Sequence, residues 1–239
     1  MGKYRKKEGL FLAEGERCVE QILKGGVVDV DALIVDEGYE PGAEIQKYRD
    51  VLASVSSEDF RSISDTETPQ GVIAVCKIPV AANAEDFKSK KGVLIAMDAV
   101  QDPGNVGTII RTATWFGAAG ILFGDGSADP FHPKVVRSAA GATGVIPYLK
   151  GPPENLLQLF ENGGWQIYLM DGSTGAEELP DIKPAGKSLI VIGNEAKGIS
   201  PQLFTAERKR VRIPGNNQNV ESLNAAIALG IGLYKFTGR

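Results

Sequence analysis

The sequence predicts an α/β protein built around a mostly parallel sheet, and two observations predict it. From residue 93 onward, six apolar runs of strand length (93–97, 120–123, 145–148, 166–170, 189–192 and 211–213) alternate with segments able to form helices. Parallel strands buried under helices on both faces read as continuous apolar runs of this kind. The second observation is a change of character along the chain. About 80 residues of short strands and polar helices come first, then the polar stretch PVAANAEDFKSKK at 79–91, then the apolar runs. Such a stretch marks a linker or a surface helix between two domains. The expected division is a small α/β domain over 1–80, a linker over 81–91 and the main α/β domain over 92–239.

In the first domain, Val19, Ile22 and Leu23 fall at helical spacing within 14–24, and 32–35, 51–53 and 72–76 read as short strands, with a polar helix at 57–63. The turn Thr68-Pro69-Gln70-Gly71 leads into the last of these strands. No catalytic constellation stands out here.

With 239 residues, 43% hydrophobic and 23% charged, the chain can bury a sizeable core. No apolar run approaches the ~20 residues that span a bilayer. The start, MGKYRKKEGLFLAEGER, lacks the apolar centre of a signal peptide, so no membrane partner and a cytoplasmic address are expected. Cys18 and Cys76 are too few for a zinc site or a disulfide framework and read as reduced, buried thiols. A single histidine, His132, excludes multi-histidine metal chemistry within one chain, and no metal is expected. A net charge of −4 argues against coating nucleic acid by bulk electrostatics. Two local basic clusters remain, Lys3-Tyr4-Arg5-Lys6-Lys7 and Glu207-Arg208-Lys209-Arg210 with Arg212; each reads either as a nucleic-acid contact or as a solvated charge cluster.

Three strand ends in the second domain carry unusual glycine and amide content. After the strand at 93–97 comes DAVQDPGNVGTIIR, 98–111, where Asp102-Pro103-Gly104 forces a turn and Asn105 reads as a helix cap. Arg111 falls about two turns along the helix that follows. On so apolar a helix an inward-facing Arg111 must be paired or functional, and a guanidinium at a strand-end cleft suits a phosphate. The second segment is LIVIGNEAKGIS, 189–200. Gly193 and Gly198 have the spacing of a phosphate loop, but Ile199 stands where its lysine belongs. Glu195 on this turn is either a solvated loop charge or a site residue. The third segment, IPGNNQNVESLN, 213–224, runs into an apolar helix at 223–236, which Ser222 or Asn219 can cap. Its asparagines and glutamine exceed what a cap needs. None of the three is G-x-G-x-x-G, which removes the phosphate loop of a nucleotide-dependent oxidoreductase.

Taken together, DPGNVGTIIRTA, IGNEAKGIS and IP followed by ESLNAAIALGI resemble, in order and separation, the SpoU (TrmH) branch of the SPOUT superfamily. The resemblance covers the chain from about residue 92 to its end; Ala196 departs from the pattern, where Gly is commoner. FLAEGERCVEQIL, 11–23, is similar, more loosely, to the ribosomal-protein-like RNA-binding domain often joined to it, and the chain begins later than many relatives, as if a basic segment preceded it. The resemblance implies a deep trefoil knot, an exception to unknotted topology, and an enzyme that moves a methyl group from S-adenosyl-L-methionine (AdoMet) to a ribose 2'-hydroxyl of RNA. It implies that Gly193, Ile213 and Leu223 contact the cofactor. It implies also that Asn105, Arg111, Glu195, Ser222 and Asn224 form the catalytic group, with ribosomal RNA a better substrate than transfer RNA. Homodimerisation through the knotted domain follows too, the small residues Ala225, Ala226, Ala228, Gly230 and Gly232 letting the last helix pack closely. The competing class is a non-catalytic RNA-binding protein that retains the fold.

Overall fold

A computed structural model describes residues 5, 7–216 and 220–238, which form two compact units. The first comprises Met1–Val80 together with Asp129–Val145. Its sheet has the order β1 (Leu10–Glu14), β4 (Val72–Lys77), β2 (Val30–Asp36), β3 (Leu52–Val55); β4 runs antiparallel to β1 and β2, and β3 parallel to β2. Helix α1 (Glu16–Gly25) buries Cys18, Val19, Ile22 and Leu23. A four-residue helix, α2 (Ala43–Gln46), precedes α3 (Ser57–Ile63), whose first turn is held by the Ser56 hydroxyl accepting from the Asp59 amide. The cysteines are free and buried, as expected, and burial pushes their thiols up to about 11 for Cys18 and about 12 for Cys76.

The division of the chain differs from the sequence reading at 129–145, a stretch in the middle of the second domain's sequence. It folds into the first unit as α5 (Pro133–Ala139) and its flanks. Phe131 meets the Phe11 ring at 5.3 Å, and Arg137 pairs with Asp65 at 3.1 Å and with the buried Glu14 at 3.7 Å. Gly141 backs onto Gln21 so closely that a β-carbon there would lie 2.4 Å from that of Gln21. Residues 145–148, expected as a strand, are therefore the exit from this excursion: Gly144 has φ +83°, Pro147 follows, and the strand starts only at Tyr148.

The second unit, Ala81–Ala128 with Ile146–Arg239, holds a seven-stranded sheet. Its order is β7 (Tyr148–Gly151), β6 (Gly120–Gly124), β5 (Gly92–Met97), β10 (Lys187–Ile192), β8 (Gln166–Met170), β11 (Lys209–Arg212), β9 (Glu177–Glu178). All six pairings are parallel. Leu94, Ala96, Leu122, Ile167, Leu169, Leu189 and Val191 face one layer with α6 (Pro153–Asn162). The intervening residues face the other, where α4 (Pro103–Phe116) and α7 (Ala225–Thr237) lie and Phe236 meets Tyr168 edge-on at 4.6 Å. Burial on both faces explains the continuous apolar runs.

The expected linker is part of this unit. Asn83 and Asp86 form a reciprocal capping box on the turn Ala84–Phe87, which inserts Phe87, fully buried, edge-on to Phe160 at 5.5 Å. One aromatic in an otherwise polar stretch was too short a pattern for periodicity to reveal. Among the described residues no helix is long and apolar enough to cross a membrane.

Candidate active site at three strand ends

The chain builds β5, β6 and β7 outward to one edge, then returns to lay β8 on the far side of β10. Strands β5 and β10 are thus hydrogen-bonded neighbours at the point where the order reverses, the place where open parallel sheets bind ligands at their carboxyl ends. The segments singled out above leave β5, β10 and β11 at these ends.

Asp102, and not Asn105, caps α4. Asp102 is extended (φ −72°, ψ 119°), its carboxylate accepts from the Asn105 amide, and Pro103 occupies the first helical position. Both residue types cap well, and the backbone at 102 decides between them. Asn105 is thereby freed for a different task. Its side-chain amide donates to Glu195 Oε1 at 2.9 Å, and its oxygen accepts from Asn224 Nδ2 at 2.8 Å. Asn224, and not Ser222, caps α7, with Oδ1 accepting from the Ala226 and Ile227 amides at 2.9 and 3.2 Å. Asn219, the other expected cap, lies outside the described residues, as do Asn217 and Gln218.

Three of the five expected catalytic side chains therefore form one chain, Glu195 to Asn105 to Asn224, joining all three segments. Each partner dictates which way the next amide faces. Glu195 also accepts from the backbone amides of Gln101 at 3.3 Å and Asp102 at 3.2 Å. Partial burial would raise its pKa, but the Asn105 amide and these backbone donors outweigh that and hold the carboxyl below its ordinary range. It is an exposed carboxylate held in place by three donors.

The other two are placed differently. Arg111 is solvent-exposed on α4 and, among the described residues, has no ion pair or hydrogen bond; the alternative of an inward-facing, paired arginine does not hold. Ser222 is likewise exposed and without a hydrogen bond among the described residues. Of the expected cofactor contacts, Gly193 is buried, Ile213 is half-buried and Leu223 is 50% exposed. A β-carbon on Gly193 would lie 2.3 Å from the Gly198 carbonyl carbon.

Two further side chains hold this turn, and the sequence reading did not single them out. Asn194 donates to the Ala99 carbonyl at 2.8 Å, and Asp98, 2% exposed, accepts from the Ser200 amide at 2.6 Å. The available signal was their position, the first polar residues beyond two adjacent buried strands.

The three arginines of the basic cluster at 207–212 are paired within the fold, while Lys209 stays exposed over the Tyr168 ring. Arg208 makes a two-pronged pair with Glu161 at 2.7 and 2.8 Å, Arg210 pairs with Asp171 at 2.7 Å, and Arg212 pairs with Glu178. At the other cluster Arg5 pairs with Asp129 at 2.9 Å, while residues 3, 4 and 6 lie outside the described residues. A pocket of about 590 Å³ lined by Glu154, Gln158, Gln166, Gln202 and Arg208 opens near the amino ends of β8 and β11, away from the strand-end turns.

Fold and site thus define an α/β domain whose candidate site is assembled from three strand-end turns, with neither a phosphate loop nor a histidine, joined to a smaller α/β module. Comparison with known proteins narrows this class. Residues 92–234 match the SpoU rRNA Methylase family and residues 1–74 the MRM3-like substrate binding domain. The chain belongs to the SpoU rRNA methylase family. It is 34% identical to the 23S rRNA (guanosine(2553)-2'-O)-methyltransferase RlmP of Bacillus subtilis, over 99% of this chain and 92% of that protein. Its structure resembles an AdoMet-bound rRNA methyltransferase from Sinorhizobium meliloti (26% identity, TM-score 0.85, 98% of this chain and 89% of that one). It also resembles the SpoU methyltransferase AviRb from Streptomyces viridochromogenes in complex with AdoMet (25% identity, TM-score 0.85, 99% and 92%).

Proposed function

We propose that this protein is an AdoMet-dependent methyltransferase acting on ribose 2'-hydroxyls of ribosomal RNA. The observation that carries the reading is the hydrogen-bonded chain Glu195–Asn105–Asn224, which ties together three segments far apart in sequence at the carboxyl end of a parallel sheet. The donor set suits AdoMet. Ile213 and Leu223 leave apolar surface open, and Glu195, a carboxylate held by three donors, matches a cationic ligand. Gly193, Ile213 and Leu223 would hold the cofactor, which supplies a methyl group on a sulfonium.

Glu195 is a poor proton acceptor, because Oε1 is engaged by Asn105 and Asp102, Oε2 by Gln101, and its pKa is low. Its role is to fix Asn105, and through it Asn224. Arg111 is no better suited to be a base, because a guanidinium offers five N–H donors and no acceptor. Exposed and unpaired among the described residues, its guanidinium instead grips the substrate's phosphate and ribose. The hydroxyl proton leaves through a neighbouring oxygen or late in the transfer. Looped or single-stranded RNA fits, since a 2'-hydroxyl must be presented from an accessible nucleotide.

The knot, a homodimer and a cytoplasmic address belong to the same reading. The homodimer is supported by exposed Ile227, Ile231 and Tyr234, which repeat at helical spacing on α7. A β-carbon added at Gly230 would meet Thr112, and one at Gly232 would meet Met170 and Ile190, all within this chain and at ordinary contact distance.

The test is transfer of labelled methyl from AdoMet to purified ribosomal RNA and, separately, transfer RNA, with the position mapped as a 2'-O-methyl. Incorporation into ribosomal RNA is expected; AdoMet binding without transfer to any RNA would overturn the reading. Arg111→Lys keeps the charge but loses the fork, and near-wild-type turnover in that variant would rule out two-pronged gripping.

A further inference from the structure

We propose that Asn194 and Asp98 are positioning residues that set the shape of the cofactor turn, acting through the backbone of 193–200 without touching the reacting atoms. This rests on the reading of that turn as the AdoMet site. The turn is closed by only two backbone bonds, between Asn194 and Gly198, each 2.9 Å. Side chains do the rest. The Asn194 carboxamide works in both directions: Nδ2 donates to the Ala99 carbonyl at 2.8 Å, while Oδ1 accepts from the amides of Ala196 and Lys197, both at 3.0 Å. At the far end of the turn Asp98 accepts from the Ser200 amide.

Asp98 and Ala99 directly follow β5, and Asn194 and Ser200 bound the turn that follows β10, so the two strand ends are strapped together twice. Ala99, which receives the Asn194 strap, is one of two non-glycine residues described with positive φ, at +52°. An L-residue in that conformation persists only where its surroundings over-determine it. The strap on its carbonyl is one such constraint, and the closeness of Gly126, whose added β-carbon would lie 3.2 Å from that of Ala99, is another. Only a carboxamide at 194 satisfies both sides. Aspartate has no donor for the Ala99 carbonyl and sets a negative charge against it; serine can accept from the turn's amides but is too short for the strap.

The experiment measures three quantities on the full chain: AdoMet affinity by calorimetry, RNA affinity by filter binding, and hydrogen exchange at the amides of Ala196, Lys197 and Ser200. Asn194→Asp is expected to weaken AdoMet binding about 10-fold, the loss that follows when a partly buried acceptor loses its donor and faces a negative charge. RNA affinity stays within about twofold, and the Ala196 and Lys197 amides keep their protection, because the acceptor for them remains. Asn194→Ser, which also serves should the aspartate variant fail to fold, gives the same split. Asp98→Ala speeds exchange at Ser200 and weakens AdoMet binding, and Asp98→Asn, which retains an acceptor, restores both. Wild-type AdoMet affinity in Asn194→Asp and Asn194→Ser overturns the proposal, as does an equal loss of AdoMet and RNA binding. Failure of the wild-type chain to bind AdoMet counts instead against the proposed function, and the exchange data then decide whether these side chains hold the turn.

Discussion

Gly193 leaves no room for a β-carbon, and the obstruction is the backbone of Gly198 and Ile199. The glycine is thus required by the turn itself, whatever the turn binds. Gly193→Ala is expected to cost about 1–3 kcal/mol, the range for overpacking, and to abolish AdoMet binding; thermal unfolding and calorimetry read the two effects. At Glu195 the low pKa carries a consequence of definite sign. A carboxyl whose pKa is depressed by folding contributes stability above its ordinary value of 4.5, and that contribution is lost as pH falls through the lower, folded value. Glu195→Gln should therefore flatten the acid side of the stability profile below pH ~4.5, and acid unfolding curves of the two proteins show it. Sequence placed Glu195, Asn105 and Asn224 in the right segments but could not assign their partners. Asp102 and Asn105 are both good caps, and only the extended backbone at Asp102 left Asn105 free to reach Glu195.

At the scale of elements, strands buried on both faces were the most legible feature, because twofold burial forces continuous apolar runs whatever the neighbours are. The stretch at 79–91 was the least. Its capping box and the burial of Phe87 make it an anchored part of the main unit, and Phe87→Ala is expected to lower stability by about 3–5 kcal/mol, measured by denaturant unfolding. The basic run 207–212 shows the opposite error, a local pattern with a nonlocal partner. Glu161 lies 47 residues from Arg208 in sequence, so the charge looks free until α6 is placed beside it. Arg208→Ala should destabilise the protein by up to about 3 kcal/mol, as expected when one partner of a largely buried pair is removed. RNA affinity and its salt dependence should stay unchanged; a shallower salt slope in filter binding would restore Arg208 as an RNA contact.

Across the whole molecule, the chain passes between its two units at 80/81, 128/129 and 145/146, so the first unit is not a contiguous piece of sequence. A fragment ending at residue 80 lacks Phe131, which packs on Phe11, and Arg137, which pairs with the buried Glu14 and with Asp65. It should lose cooperative unfolding, whereas a single chain joining 1–80 to 129–145 should regain it, as circular dichroism through a thermal ramp would report. The sequence alone determined the α/β class, the burial of the strands, the three strand-end segments and the family they resemble, since these depend on residue type at short spacing and on motif order. Tertiary structure alone decided that 129–145 joins the first unit, that the arginines of the basic run are paired, and that Asp98 and Asn194 strap two strand ends together. Each of these depends on which distant residue lies opposite, and β10, entering the sheet between β5 and β8, brings Asp98 and Ser200 together across 102 positions of sequence.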